Sequence, residues 1–166
     1  MEPEEKSHKD PRLRYAHLIP DGMAKMHTLE HYLNTATSLE PVLLELVRLR
    51  ASQMNGCEYC ITLHTAELKK HNESPARIDS VADWRNSDAY THRERAALAW
   101  AEAVTNIQDG HAPDAVYNEL RAHFTDVETA NLTLVLTTIN AWNRLAIAMG
   151  SYSGNRSPAC VTVESA

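Results

Sequence analysis

Apolar positions along the chain recur at spacings of three and four residues, the period of a helix that buries one face. Met23, Met26, Leu29, Tyr32 and Leu33 form the first such stripe. Val42, Leu43, Leu46, Val47 and Leu49 form a second, which opens at Pro41, a residue suited to a first helical turn, and runs to about Met54. Asn55-Gly56 interrupts it. Asn55 followed three residues on by Glu58 has the form of a capping box, so it predicts a third helix from Cys57 to about Lys70 with Asn55 as its N-cap. Ser74-Pro75 predicts a short helix through Val81, and Asn86 to Asp88 a loop. Thr91 with Glu94 caps an Ala-rich helix to about Ile107, Asp109-Gly110 predicts a turn, and Pro113 opens a helix through Phe124.

Thr125 with Glu128 caps the last helix, which carries Leu132, Leu134, Val135, Leu136, Ile139, Trp142, Leu145, Ile147 and Met149. It is apolar around more than one stripe, as expected of a core helix or a subunit interface. Leu132 to Thr138 could pass for a strand, but the helical pattern continues past it. Upstream, Pro11 to Pro20 reads as extended, with Tyr15, Leu18 and Ile19 available to dock, and Asp21-Gly22 as a turn. Nothing alternates with period two for long, so the fold class is all-α. Residues 1–11 are expected to form a flexible arm, 12–155 a single domain and 156–166 a tail, with no internal repeat.

Composition narrows the function. The 166 residues suffice for one domain with its own core, and 43% hydrophobic with 23% charged content is ordinary for a globular chain. Net charge is −6 and no dense Lys/Arg block exists, so neither nucleic acid nor an anionic membrane finds its usual electrostatic footprint. The charged start, Met1 to Asp10, lacks the apolar core of a secretory signal, and no run approaches the roughly eighteen apolar residues of a membrane span. The expected location is the cytoplasm. Three cysteines are too few, and unevenly paired, for a secreted disulfide scaffold. In a reducing compartment Cys57-x-x-Cys60 points to redox or metal chemistry, and Cys160 is a bystander in the tail.

Cys57, Cys60 and His64 stand at i, i+3 and i+7, which at roughly 100° per residue places two sulfurs and an imidazole within about 60° on one helix face. With Asn55 as cap, Cys57 falls near the second helical position, where unpaired N–H groups and the helix dipole stabilise a thiolate, the nucleophilic form. The second thiol can then attack the oxidised first one and close a disulfide. His64 exchanges protons near neutral pH, and Glu45, among Leu43, Leu44, Leu46 and Val47, is placed to orient or protonate it.

The stretch Glu45-Leu-Val-Arg48-Leu-Arg-Ala-Ser52-Gln-Met-Asn55-Gly56-Cys57-Glu58-Tyr59-Cys60-Ile-Thr-Leu-His64 resembles the core motif of the alkylhydroperoxidase D and carboxymuconolactone decarboxylase family. That motif is a Glu twelve residues before a Cys-x-x-Cys, with a His four residues after the second Cys. Glu45, Cys57, Cys60 and His64 each match it. The resemblance spans about Pro41 to Leu68, with looser support from Arg93-Glu-Arg-Ala-Ala-Leu98 and Ile139-Asn-Ala-Trp-Asn-Arg144. It implies an alkylhydroperoxidase D-like helical fold, peroxide reduction through the two cysteines without a cofactor, an unidentified dithiol or protein reductant, and trimeric or hexameric assembly. It also implies that Cys60 is peroxidatic, Cys57 resolving, and Glu45 with His64 a proton relay. The helix-terminus argument instead makes Cys57 the more acidic thiol, and both assignments stand open. Tyr59 occupies the place of a His that alkylhydroperoxidase D carries between its cysteines.

Simpler roles stand beside these. The cysteines could be small buried hydrophobes, Glu45 could merely pair with Arg48 three residues on, Tyr59 could be packing, and Trp100, Trp142, Met23 and Met26 core or interface. His17, His27, His31, His71, His92, His111 and His123 are scattered and expected exposed. Structural zinc would normally take a second cysteine pair, and only one is present, although Cys57, Cys60, His64 and Glu45 could share one ion. Two further readings compete with a thiol peroxidase. One is a non-redox decarboxylase-like or lactone-processing enzyme of the same family, which need not keep the cysteine pair. The other is a non-catalytic, metal-bearing helical module.

Overall fold

A computed structural model describes residues 11–150. The expected arm falls almost wholly, and the 156–166 tail and Cys160 entirely, outside the described residues. Within them the chain is all-α: α1 (Tyr15–Leu18), α2 (Pro20–Thr35), α3 (Pro41–Asn55), α4 (Glu58–Lys70), α5 (Pro75–Asp79), a 3₁₀ segment (Ser80–Asn86), α6 (His92–Thr105), α7 (Asp114–His123) and α8 (Asp126–Ala148). Two of the three predicted capping boxes form. Thr91 accepts from the Glu94 N–H and Thr125 from the Glu128 N–H, and each Glu carboxylate returns a bond to the cap's own N–H. The Thr-rich stretch in the last helix stays helical because Leu132, Val135 and Leu136 are buried at helical spacing, and the Thr133 and Thr138 hydroxyls are satisfied by carbonyls four residues earlier.

The amino-terminal expectations need correction. Tyr15–Leu18 forms a helical turn, and α2 begins at Pro20, so Asp21-Gly22 lies in its first turn and is no separate turn. The reason is local: proline at the first helical position has its φ already set, and Asp21 beside the free N–H groups interacts well with the helix dipole. Of the three residues expected to dock, only Tyr15 does; Leu18 and Ile19 are exposed. Elsewhere the order of elements follows the apolar pattern, except that the short helix after Ser74 tightens into 3₁₀ geometry at Ser80.

The centre of the fold is α3. It packs against α4, α6 and α8, and its residues 43–49 are buried without a break. One side joins the larger apolar cluster through Leu43, Leu44 and Val47, which meet Leu33, Trp100, Leu120, Phe124, Leu132 and Leu136. The opposite side, through Leu46 and Leu49, meets Leu68, Ile78, Val81, Trp84 and Leu98. A helix covered on two sides by apolar layers has only a narrow strip left for polar groups, and Glu45 and Arg48 occupy it.

α8 is less completely buried than its composition suggests, with Val127 67% and Leu134 37% exposed. The inside and outside of this helix should therefore respond differently to truncation. Leu136→Ala, at a fully buried position, is expected to cost about 2–5 kcal/mol, and Val127→Ala less than about 0.5 kcal/mol, as read from denaturant midpoints at constant slope. Equal losses at both positions would contradict the packing described here.

Candidate active site

The turn between α3 and α4 sets the geometry. Gly56 takes a left-handed conformation (φ 68°, ψ 31°), and the chain closes on α3 with the Cys57 N–H bonded to Ser52 O at 3.0 Å and the Gly56 N–H to Gln53 O at 3.2 Å. This is the Schellman pattern for ending a helix, and it requires a residue free of Cβ crowding at the left-handed position. The expected cap is therefore displaced: Asn55 is the last residue of α3, and Cys57 itself holds the N-cap of α4 with no side-chain cap bond. The Asn55 amide instead donates to Asn140 Oδ1 (3.0 Å) and Asn143 Oδ1 (2.8 Å), and Asn143 donates onward to Ser52 Oγ (3.1 Å). These bonds tie the cysteine turn to α8.

Cys57 and Cys60 are joined as a disulfide, with Cα atoms 5.3 Å apart. Both residues are buried, 1% and 4% exposed, and pack beside Ala146 of α8. Cys57 is thus one position outside the helix and Cys60 is its third residue, so both stand at the α4 N-terminus, where the helix dipole favours negative charge. One turn on, His64 is buried and its Nδ1 lies 2.7 Å from Glu45 Oε2. The other Glu45 oxygen accepts from Arg48 Nη1 at 2.6 Å. Arg48, 3% exposed, reaches with Nη2 to Asn34 Oδ1 (2.8 Å) and Glu30 Oε1 (2.5 Å), and Trp142 Nε1 donates to Glu30 Oε2 (3.3 Å).

All four predicted site residues therefore lie in one neighbourhood, and the simple role of Glu45 as a partner of Arg48 holds at the same time as its role beside His64. Burial pushes the Glu45 carboxyl pKa upward, but the hydrogen bond and charge of His64 and the adjacent Arg48 guanidinium outweigh it. The net result lies below the ordinary glutamate value. With an ionised carboxylate accepting at Nδ1, the imidazole keeps its proton there and presents Nε2 as the nitrogen able to exchange one.

Cys60 and His64 open onto a cavity of about 290 Å³. The sequence reading missed most of its walls: His27, Glu30 and Asn34 from α2, Glu67 from α4, and Ile139, Trp142 and Ala146 from α8. A signal for them exists. The α2 and α8 sets repeat the i, i+3, i+7 spacing of Cys57, Cys60 and His64, with polar residues standing in one stripe of α2. His27 was expected exposed; it is half-buried, its ring 5.4 Å from that of Trp142, because this stripe faces α8. His123 is also half-buried, beside His92. Tyr59 and Trp142, expected in packing, both line the cavity.

Residues 20–103 match the carboxymuconolactone decarboxylase family. The uncharacterized protein YdfG of Bacillus subtilis (strain 168) is 36% identical over 145 residues, covering 87% of this chain and 98% of that one. The chain belongs to the carboxymuconolactone decarboxylase family. Among solved structures of similar proteins, one from Agrobacterium tumefaciens, of unknown function and suggested to be the antioxidant defence protein AhpD, is 37% identical. It superposes with a TM-score of 0.84 over 89% of this chain and 100% of its own. An uncharacterized peroxidase-related protein from Ralstonia eutropha JMP134, with an alkylhydroperoxidase AhpD core, is 25% identical (TM-score 0.74; 90% and 80% covered). This member thus has the alkylhydroperoxidase D-like fold. Among its described residues no helix is long and apolar enough to cross a membrane, and no three His, Cys, Asp or Glu side chains converge as metal ligands would.

The Glu45 arrangement has a pH signature. Its carboxyl binds a proton less readily when folded than when unfolded, where the value is near 4.5. Its contribution to stability is therefore complete above that value and is lost as pH falls below it. Glu45→Gln is expected to be less stable than the parent at pH 7, with the gap closing as pH falls below about 4.5 and the parent's carboxylate is protonated. Denaturant unfolding at a series of pH values measures this, and a gap independent of pH would contradict it.

Proposed function

We propose that this chain is a thiol-dependent peroxidase of the alkyl hydroperoxide reductase type, cycling Cys57 and Cys60 between dithiol and disulfide. The observation that carries the reading is the Cys57–Cys60 disulfide at the foot of a cavity that Cys60 shares with His64, itself bonded to Glu45. Cys60, and not Cys57, is among the cavity walls, which supports Cys60 as the thiol that meets peroxide.

In the reduced protein the Cys60 thiolate attacks the distal oxygen of ROOH. The S–O bond forms, the O–O bond breaks, and the departing alkoxide takes a proton from His64 to leave as ROH. Cys60 is then a sulfenic acid. The Cys57 thiolate attacks its sulfur, the S–S bond forms, and hydroxide leaves with a proton as water. Glu45 holds His64 in the tautomer that exchanges protons at Nε2 and stabilises the imidazolium between steps. A dithiol reductant, small or carried by a protein, returns the two electrons. The first turn of α4 contributes by favouring the thiolate form of both cysteines.

Fully reduced protein treated with one equivalent of cumene hydroperoxide is expected to lose two thiols per chain. Cys57→Ser should halt at a sulfenic acid that dimedone traps, Cys60→Ser should not react above the thiol background, and His64→Asn should slow the peroxide step by about 10²-fold. Retention of every thiol in the parent sinks the proposal; sulfenic acid in Cys60→Ser in place of Cys57→Ser would move the peroxide to Cys57.

A further inference from the structure

The cavity over Cys60 carries an excess of acid. Three carboxylates line it, from Glu30, Glu45 and Glu67, against a single guanidinium, that of Arg48. Arg48 offers no spare charge, since Glu45 and Glu30 lie 2.6 and 2.5 Å from it and Asn34 takes a further bond. Glu67 stands one turn beyond His64 on the same helix, and its ion partner is Lys70, at 2.5 Å. Lys70 is 69% exposed and is not part of the cavity wall, so it screens Glu67 from the solvent side only. Besides the Asn34 amide, the His27 and His64 imidazoles and Cys60, the remaining lining is apolar or aromatic, including Tyr59, Leu63, Ile139 and Trp142.

We propose that this cavity is a charge filter: it takes neutral or cationic ring-sized organic hydroperoxides and rejects those bearing a carboxylate, with Glu67 and Glu30 as the discriminating groups. The proposal rests on the peroxidase reading for its substrate chemistry, but the filter belongs to the cavity itself. An anionic substrate would have to bring its charge beside three carboxylates, where the Arg48 guanidinium is already paired and the His64 imidazole is bonded to Glu45, and a buried charge without a partner of its own is costly. A cation meets the opposite situation, since carboxylates and the faces of Trp142 and the tyrosines both attract it. About 290 Å³ lies at the lower end of small-molecule sites and suits a substituted ring.

Two measurements on the full chain test the filter. The first is calorimetric binding of cumyl alcohol to the disulfide form, compared with its 4-carboxylate and 4-aminomethyl derivatives at pH 7.5 and low salt. The amine is expected to bind at least as tightly as the alcohol and the carboxylate about tenfold more weakly, the size of one repulsion across a partly screened site. A merely apolar cavity would reject both charged probes, so weaker binding of the amine overturns the proposal, as does carboxylate binding within twofold of the alcohol. The second is the rate of thiol loss in reduced protein with cumene hydroperoxide and with its 4-carboxylate. The same preference is expected, and Glu67→Gln should narrow it several-fold in both measurements; an unchanged ratio removes Glu67 from the filter. Failure of every hydroperoxide to oxidise the thiols defeats the peroxidase reading alone, because the binding order is measured without turnover.

Discussion

A buried guanidinium organises this molecule. Arg48 lies on the central helix with apolar layers on two sides, where an unpaired charge could not be kept. Its neutralisation is divided between Glu45 on its own helix and Glu30 on α2, with Asn34 taking a further N–H. Because one Glu45 oxygen is committed to Arg48, the other is directed at His64, and because Glu30 is committed to Arg48, α2 is drawn over the site as a wall. A pair of this kind gains little net stability over apolar side chains of similar volume. Its consequence is orientation: an ionised carboxylate held against one imidazole nitrogen, leaving the other for proton exchange.

The cysteine turn depends on a different device. Ending α3 with a left-handed Gly56 lets the chain reverse within two residues and start α4 at once, with Cys57 as its cap and Cys60 in its first turn. The Asn55, Asn140 and Asn143 amides and the Ser52 hydroxyl fasten that reversal to α8. The carbonyls at the end of α3 are thus satisfied by the Gly56 and Cys57 N–H groups, and the sulfurs are placed against Ala146 of α8. The site is therefore built where α2, α3, α4 and α8 meet, and each contributes a stripe read at the same three-and-four spacing.

Much of this architecture was legible in the chain. The long apolar stripes and the two Thr/Glu capping boxes marked α6 and α8 correctly, because helix period and cap chemistry act over a few residues. The same locality put Cys60 and His64 one turn apart on α4, but it set Cys57 inside that helix, where the structure makes it the N-cap. It failed where two local signals competed. Asn55 and Gly56 together can start one helix or finish another, and the choice fell to the Asn140 and Asn143 acceptors, about 85 residues away. Pro20 was read as the end of an extended segment although it equally suits a first helical turn.

What the sequence by itself determined is the helical class, the family, and the closeness along the chain of two sulfurs and an imidazole, since these follow from helix period or from one short motif. Only the tertiary structure decided which side of Glu45 meets Arg48 and which meets His64, that Glu30 completes the charge balance from another helix, and that the cavity wall is acidic. Those outcomes depend on groups brought together from α2, α3, α4 and α8, and the energy of a buried charge is set by every partner around it, however distant along the chain.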